Sequence, residues 1–171
     1  MALTNQPKRA FFVQTLGLVG SPIAHGVEKA SQTYAAGAFI QDDDAGRITE
    51  SATPIDGSAV TKRTFGMTLN AATGVTGADV AFIWVAHYTI FEITLSDATA
   101  GTHTLAQADQ WRVFPVTKAT ANWYLDANAV SNTGGGIVIG FKDAIGVVDA
   151  RVYCVFTNTA RGGAHASSGV F

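Results

Sequence analysis

The sequence predicts an all-β domain, a β-sandwich or β-barrel with an extended N-terminal arm, and three observations carry that prediction. Eight or more short apolar runs follow one another between turn-forming segments, without the strand–helix–strand alternation of a parallel α/β sheet. From Val147 to Phe156 the residues alternate: Val148, Ala150, Val152, Cys154 and Phe156 fall on one face, and Asp149, Arg151, Tyr153 and Thr157 on the other. The longest apolar run, Val80 to Leu95, is interrupted by His87 and Glu92 and is rich in Thr, Tyr and Ile. That is the composition of one long or two short strands, not of a membrane helix.

Composition bounds the function. A chain of 171 residues is long enough for one domain with a real hydrophobic core. Charged residues make up 14% of it, against about 25% in an average protein, while 47% are apolar. Much of the surface must therefore consist of Thr, Ser, Ala, Gly, Gln and Asn, which suits packing against other chains. Eleven basic and thirteen acidic residues give a net charge of −2, and the basic ones are scattered, so no nucleic-acid footprint is present. One cysteine excludes an internal disulfide framework and, with four dispersed histidines, a Cys-based zinc site.

Residues 1–33 carry Pro7, Gly17, Gly20, Pro22 and Gly26 around one short apolar run, Ala10–Val13, and read as an extended arm. Lys8-Arg9 before that run mimics a signal peptide, but Gln14 and Thr15 interrupt it, so the segment is expected to remain in the mature protein. A terminus this apolar stays ordered only by lying on its own domain or on a neighbour. Val27–Ala36 has the makings of a short helix, weakened by Ser31 and Thr33.

Residues 34–158 read as the β-domain and 159–171 as a small, polar tail ending in Val170-Phe171. Ala35–Gln41 and Arg47–Ser51 flank an Asp-rich turn and form a hairpin. Val60–Leu69 reads as a strand, Asn70–Ala78 as a loop, and Val80–Leu95 as the central strand or strand pair. Ser96–Gln110 is a long polar connection, expected as a surface excursion or a short helix. Trp111–Val116, Ala121–Leu125, Ile137–Phe141 and Val147–Thr157 complete the strands.

No constellation of residues points to catalysis. Asp42-Asp43-Asp44 offers hard oxygen ligands, yet a calcium loop needs glycine at its sixth position and glutamate at its twelfth; here Gly46 is fifth and Thr53 twelfth, so a solvated turn is the simpler reading. His25, His87, His103 and His165 show no short ligand spacing, and His87 is expected as a hydrogen-bonded strand residue. Gly134-Gly135-Gly136 lacks both the Lys-Ser/Thr ending and the following helix of a phosphate loop, so it reads as a corner or bulge. Cys154 lies in an inward row, where a thiol acts as a small hydrophobe. Trp84, Trp111 and Trp123, all in predicted strands, with Tyr88 and Tyr124, suit a core or subunit interface better than a sugar-binding face.

The hairpin Ala35–Gln41 and Arg47–Ser51, Gly66-Met67-Thr68-Leu69-Asn70, Phe91-Glu92-Ile93-Thr94-Leu95, and the ending Gly140–Gly146 followed by Ala150–Phe156 resemble, in order, the capsid cement or decoration proteins of tailed bacteriophages. The resemblance covers residues 34–158. It implies a jelly-roll-like sandwich or barrel on the outer surface of an icosahedral head, forming a homo-oligomer, a trimer by preference, and bridging major capsid subunits without catalysis or cofactor. Its expected partners are the major capsid protein and other copies of itself. Contacts are expected from the arm, through Lys8, Arg9, Phe11, Phe12 and Val13, from the outward row Asp149, Arg151 and Tyr153, and from Phe171. A carbohydrate-binding or host-attachment module using Trp84, Trp111 or Trp123 is the alternative, and a small β-barrel enzyme a third reading.

Overall fold

The structure, a computed structural model, describes residues 11–15 as backbone and residues 23–43, 45–56, 64–85, 89–99, 101–129 and 134–157 in full. Their regular structure is β except for one 3-10 turn, Gln107–Asp109. The strands are β1 (Phe11–Thr15), β2 (Ile23–Glu28), β3 (Phe39–Asp42), β4 (Arg47–Glu50), β5 (Gly66–Thr68), β6 (Asp79–Trp84), β7 (Thr89–Ser96), β8 (Val113–Phe114), β9 (Val116–Ala119), β10 (Asn122–Asp126), β11 (Gly136–Phe141) and β12 (Arg151–Phe156).

They form two mixed sheets. The larger runs β8-β11-β12-β7-β10-β9, with β1 also paired to β7. One edge of β7 takes β12 antiparallel, from Cys154↔Phe91 to Arg151↔Thr94. The opposite edge is shared: β1 pairs antiparallel with its first half and β10 parallel with its second, from Tyr124↔Thr94 to Asp126↔Ser96. The smaller sheet closes into a barrel-like ring, β2-β4-β3-β5-β6, in which β6 returns to β2 and β2 meets β4 over two register pairs.

Alternation on β3 explains how the two layers share side chains. Phe39 points into the main core between the sheets, its ring 5.6 Å from Phe91, 5.3 Å from Trp123 and 5.0 Å from Phe156. Its neighbour Ile40 faces the other way, into a second core with Ile48, Val80 and Phe82 inside the ring. That interior is tight: a Cβ on Gly66 would come 2.6 Å from Phe82 Cδ2, and one on Gly26 2.7 Å from Ile48 Cδ1.

Several expectations change. Val27–Ala36 is not a helix: β2 runs through Glu28, whose fully buried carboxylate accepts the backbone N–H groups of Thr73 and Gly74. That tertiary partner outweighs a weak local helix preference. Of Val60–Leu69, β5 takes Gly66–Thr68, and residues 57–63 lie outside the described residues. The run Val80–Leu95 does split into two strands, but β6 belongs to the ring and β7 to the large sheet. The connection 96–110 contains the 3-10 turn and is pinned by Leu105, which is 2% exposed.

Candidate binding surface

The closing hairpin shows where alternation holds and where it stops. Ala150, Val152, Cys154 and Phe156 are buried, as the pattern requires, and Arg151 and Tyr153 are half-buried on the opposite face. Upstream the assignment reverses: Val148 is exposed and Asp149 is buried. Asp149 has a left-handed backbone, φ 51°, so the strand begins only after it and the phase carried back from Val152 no longer applies. Its Oδ1 accepts Ser96 Oγ at 2.7 Å and the His103 backbone N–H at 3.1 Å. Asp149 is therefore an internal latch and not a contact on the outward row.

Arg151 and Tyr153 stand beside an ionic network on the outer face of the large sheet. Asp143, in the turn before β12, receives Arg151 Nη2 at 2.7 Å and Arg151 Nε at 3.0 Å, and accepts the Arg151 backbone N–H at 2.8 Å. That guanidinium holds the Asp143 carboxyl below the usual carboxylate range, with the backbone bond and the Lys142 charge adding to the effect. Lys142 Nζ donates to Glu92 Oε2 at 2.5 Å, and Arg151 Nη1 lies 3.7 Å from Glu92 Oε1.

Strand register ties part of the arm to the same place. Glu92 is opposite Phe11 on one side and Tyr153 on the other, so one row crosses β1, β7 and β12. Phe12 is opposite Phe91, and the register shifts between Phe12 and Gln14, next to Val13. Lys8, Arg9 and Phe171 lie outside the described residues, as do His87 and His165.

The tryptophans separate by environment. Trp123 is buried against Phe39, in the core and away from any binding face. Trp84 is half-exposed at the end of β6, its ring 5.1 Å from Phe82 and 5.7 Å from Phe65. Trp111 lies in no strand: it occupies the turn before β8 with φ 69°, exposed, its N–H donating to Val138 O at 2.7 Å. Ile145, Val147 and Val148 are exposed and precede β12, although a Val-Val pair leading into an alternating run has the pattern of a strand.

Other candidates resolve into structure. The acidic turn is closed by its own carboxylates: Asp42 Oδ1 accepts the Gly46 N–H, and Asp43 Oδ1 accepts those of Ala45 and Arg47. His25 Nδ1 lies 2.8 Å from Asp79 on the surface of the ring, and His103 Nε2 lies 2.9 Å from Asp109. Among the described residues, no group of three or more His, Cys, Asp or Glu side chains is arranged as a metal site. Burial pushes the Cys154 thiol up, well away from the reactive thiolate.

Comparison with protein-family models, with curated proteins and with solved structures finds no match.

Proposed function

We propose that this chain is a structural virion protein that binds the outer surface of an icosahedral phage head and stabilises contacts between major capsid subunits. In this reading it is a capsid cement or decoration protein, jelly-roll-like in its pairing of two layers across Phe39, and a homo-oligomer, with a trimer favoured. The observation that carries the reading is β1: a segment of the arm adds antiparallel to β7 by main-chain pairing, opposite the closing hairpin. That pairing is made within the chain; the same kind of strand addition on a neighbour's sheet edge would let a charge-poor chain attach without charged side chains. The ionic groups beside it are already engaged within the chain, Arg151 with Asp143 and Lys142 with Glu92. Attachment to a shell would then rest on backbone and apolar contacts, weak singly and summed over many copies.

The test is co-sedimentation with expanded, undecorated heads. Deleting residues 2–10 removes Lys8 and Arg9 and leaves β1; deleting residues 2–20 removes both. Loss of binding in the longer deletion, with a retained β-type circular dichroism spectrum, supports the reading. Full-strength binding by that truncated protein overturns the role of the arm, and failure of the intact chain to sediment with heads overturns the function.

The carbohydrate-binding or host-attachment alternative is favoured by one observation, the half-exposed Trp84 packed against Phe65 and Phe82. Glycan-array binding that disappears in Trp84→Ala would select it.

A further inference from the structure

We infer that the pairing of β1 with β7 is an autoinhibitory strap: it holds the arm's strand at home, and the arm adds to a partner's sheet only when β1 leaves β7. The inference rests on the strand-addition reading proposed above and names how that binding is regulated. Seated from Phe11↔Glu92 to Thr15↔Thr89, β1 has spent the N–H and C=O groups of one edge on β7. Its other edge is spoiled by the same seat. Between Phe12↔Phe91 and Gln14↔Ile90 the strand carries an extra residue, Val13. Such a bulge bends a strand and disrupts its ladder, and is one device by which sheet edges are blunted against further pairing. A released β1 is free of the register that imposes the bulge and can offer five consecutive residues to a straight partner edge.

The topology lets the strap open while the rest of the fold stays in place. The ring, β2 to β6, is inserted in sequence between β1 and β7, and Thr15↔Thr89 closes the neck where the chain enters and leaves it. Neither neighbour depends on that closure. The ring is closed by β6 on β2, over five pairs from Ile23↔Ile83 to Val27↔Asp79. β7 keeps β12 along one edge and β10 along the second half of the other. Glu92, opposite Phe11, takes its counter-charges from Lys142 and Arg151, so release strands no carboxylate. β1 itself has one neighbour in the sheet, and a short, one-sided ladder is the kind of element that opens locally at low cost. Ile23 lies twelve residues after Phe11, so a released strand reaches up to about 40 Å from the ring.

A strand occupied at home acts as a filter. β7 competes with any partner, so apparent affinity falls by the fraction of chains in which β1 is free. A partner edge wins by pairing better than β7 does, which it achieves by taking β1 without a bulge. The same competition suppresses edge-to-edge pairing between free chains, where only 14% of residues carry the charge that would otherwise keep edges apart.

Hydrogen exchange of the wild-type chain, read by mass spectrometry, tests the opening without a partner. The β1 amides bonded to β7 are expected to exchange on the order of 100-fold faster than the paired amides of β7 and β12. Exchange in step with those strands overturns the inference. Binding is tested with a lock, Phe11→Cys with Glu92→Cys, at opposed positions on the sheet face away from Cys154. The oxidised lock is expected to co-sediment with expanded heads roughly 10-fold or more weakly than the same protein reduced. Thr15→Cys with Thr89→Cys, at the neck, is a second lock read the same way if the first does not fold. Equal binding by oxidised and reduced locks, with a wild type that binds heads, refutes the strap alone. A wild type whose β1 opens but which ignores heads refutes the virion reading alone.

Discussion

Glu50 and Lys118 join the two sheets: Lys118 Nζ lies 2.6 Å from Oε1 and 2.7 Å from Oε2 of Glu50, linking β4 of the ring to β9 of the large sheet. Both side chains are about three-quarters buried, so solvent screens the pair only in part. Lys118→Met is expected to lower unfolding stability by about 1–2 kcal/mol, since it leaves the Glu50 carboxylate unpaired. Urea denaturation of Lys118→Met, Glu50→Gln and the double variant checks this, with the double variant costing less than the sum of the singles.

Phe39→Ala is expected to cost about 3–5 kcal/mol, the range for deleting a buried phenylalanine. Its ring touches one aromatic on each of β7, β10 and β12, so the loss falls on the joint between the layers. Thermal unfolding of Phe39→Ala beside Ile40→Ala, which opens only the ring's core, compares the two interiors; a smaller loss at Phe39 would contradict its central place.

Gly135→Ala is expected to be the more damaging of two glycine substitutions. Gly135 has φ 138°, and a Cβ there would overlap the Phe114 carbonyl; at Gly146, with φ 92°, a Cβ meets nothing within 4 Å. Gly146→Ala should therefore cost about 1 kcal/mol of backbone strain, and Gly135→Ala about 3 kcal/mol or more. Chemical denaturation of both variants measures the gap.

The Asp143–Arg151 pair makes stability fall in acid. The folded carboxyl of Asp143 titrates below its unfolded value, so its contribution is present above the unfolded pKa, near 4, and is lost as pH falls through the lower folded pKa. Melting temperature measured from pH 6 to pH 2 should drop less steeply in Asp143→Asn than in the wild type; identical slopes would remove the pair from the acid response.

Cys154 should react with a thiol reagent only through opening of the sheet. The side chain is fully buried and its thiol is pushed up by that burial. Labelling in native buffer should be slow and should accelerate with urea in step with loss of β-signal; fast native labelling would contradict the burial.

Local pattern carried much of the fold. Period-2 alternation from Ala150 to Phe156, the Asp-rich hairpin turn and the inward position of Cys154 are short-range features, and each appears in the structure where the pattern puts it. Local pattern fails where a distant partner decides. Glu28 extends β2 because the backbone of Thr73 and Gly74 neutralises its burial, and no neighbour in sequence announces that. Asp149 turns inward because Ser96 and His103 supply its hydrogen bonds, and the turn it makes shifts Val148 out to solvent. The candidate surface was legible as residue types, Phe11, Arg151 and Tyr153, but not as a row, since register depends on which strands meet.

By itself the sequence determined the all-β class that the described residues show and the sparse charge of the chain, because alternation, turn chemistry and composition are local properties. Tertiary structure decided that one apolar run is divided between two sheets, that Trp111 faces water while Trp123 does not, and that Asp149 is a latch. The physical reason is the same in each case: a buried polar group or an aromatic ring takes its free energy from partners tens of residues away, and only folding brings those partners within reach.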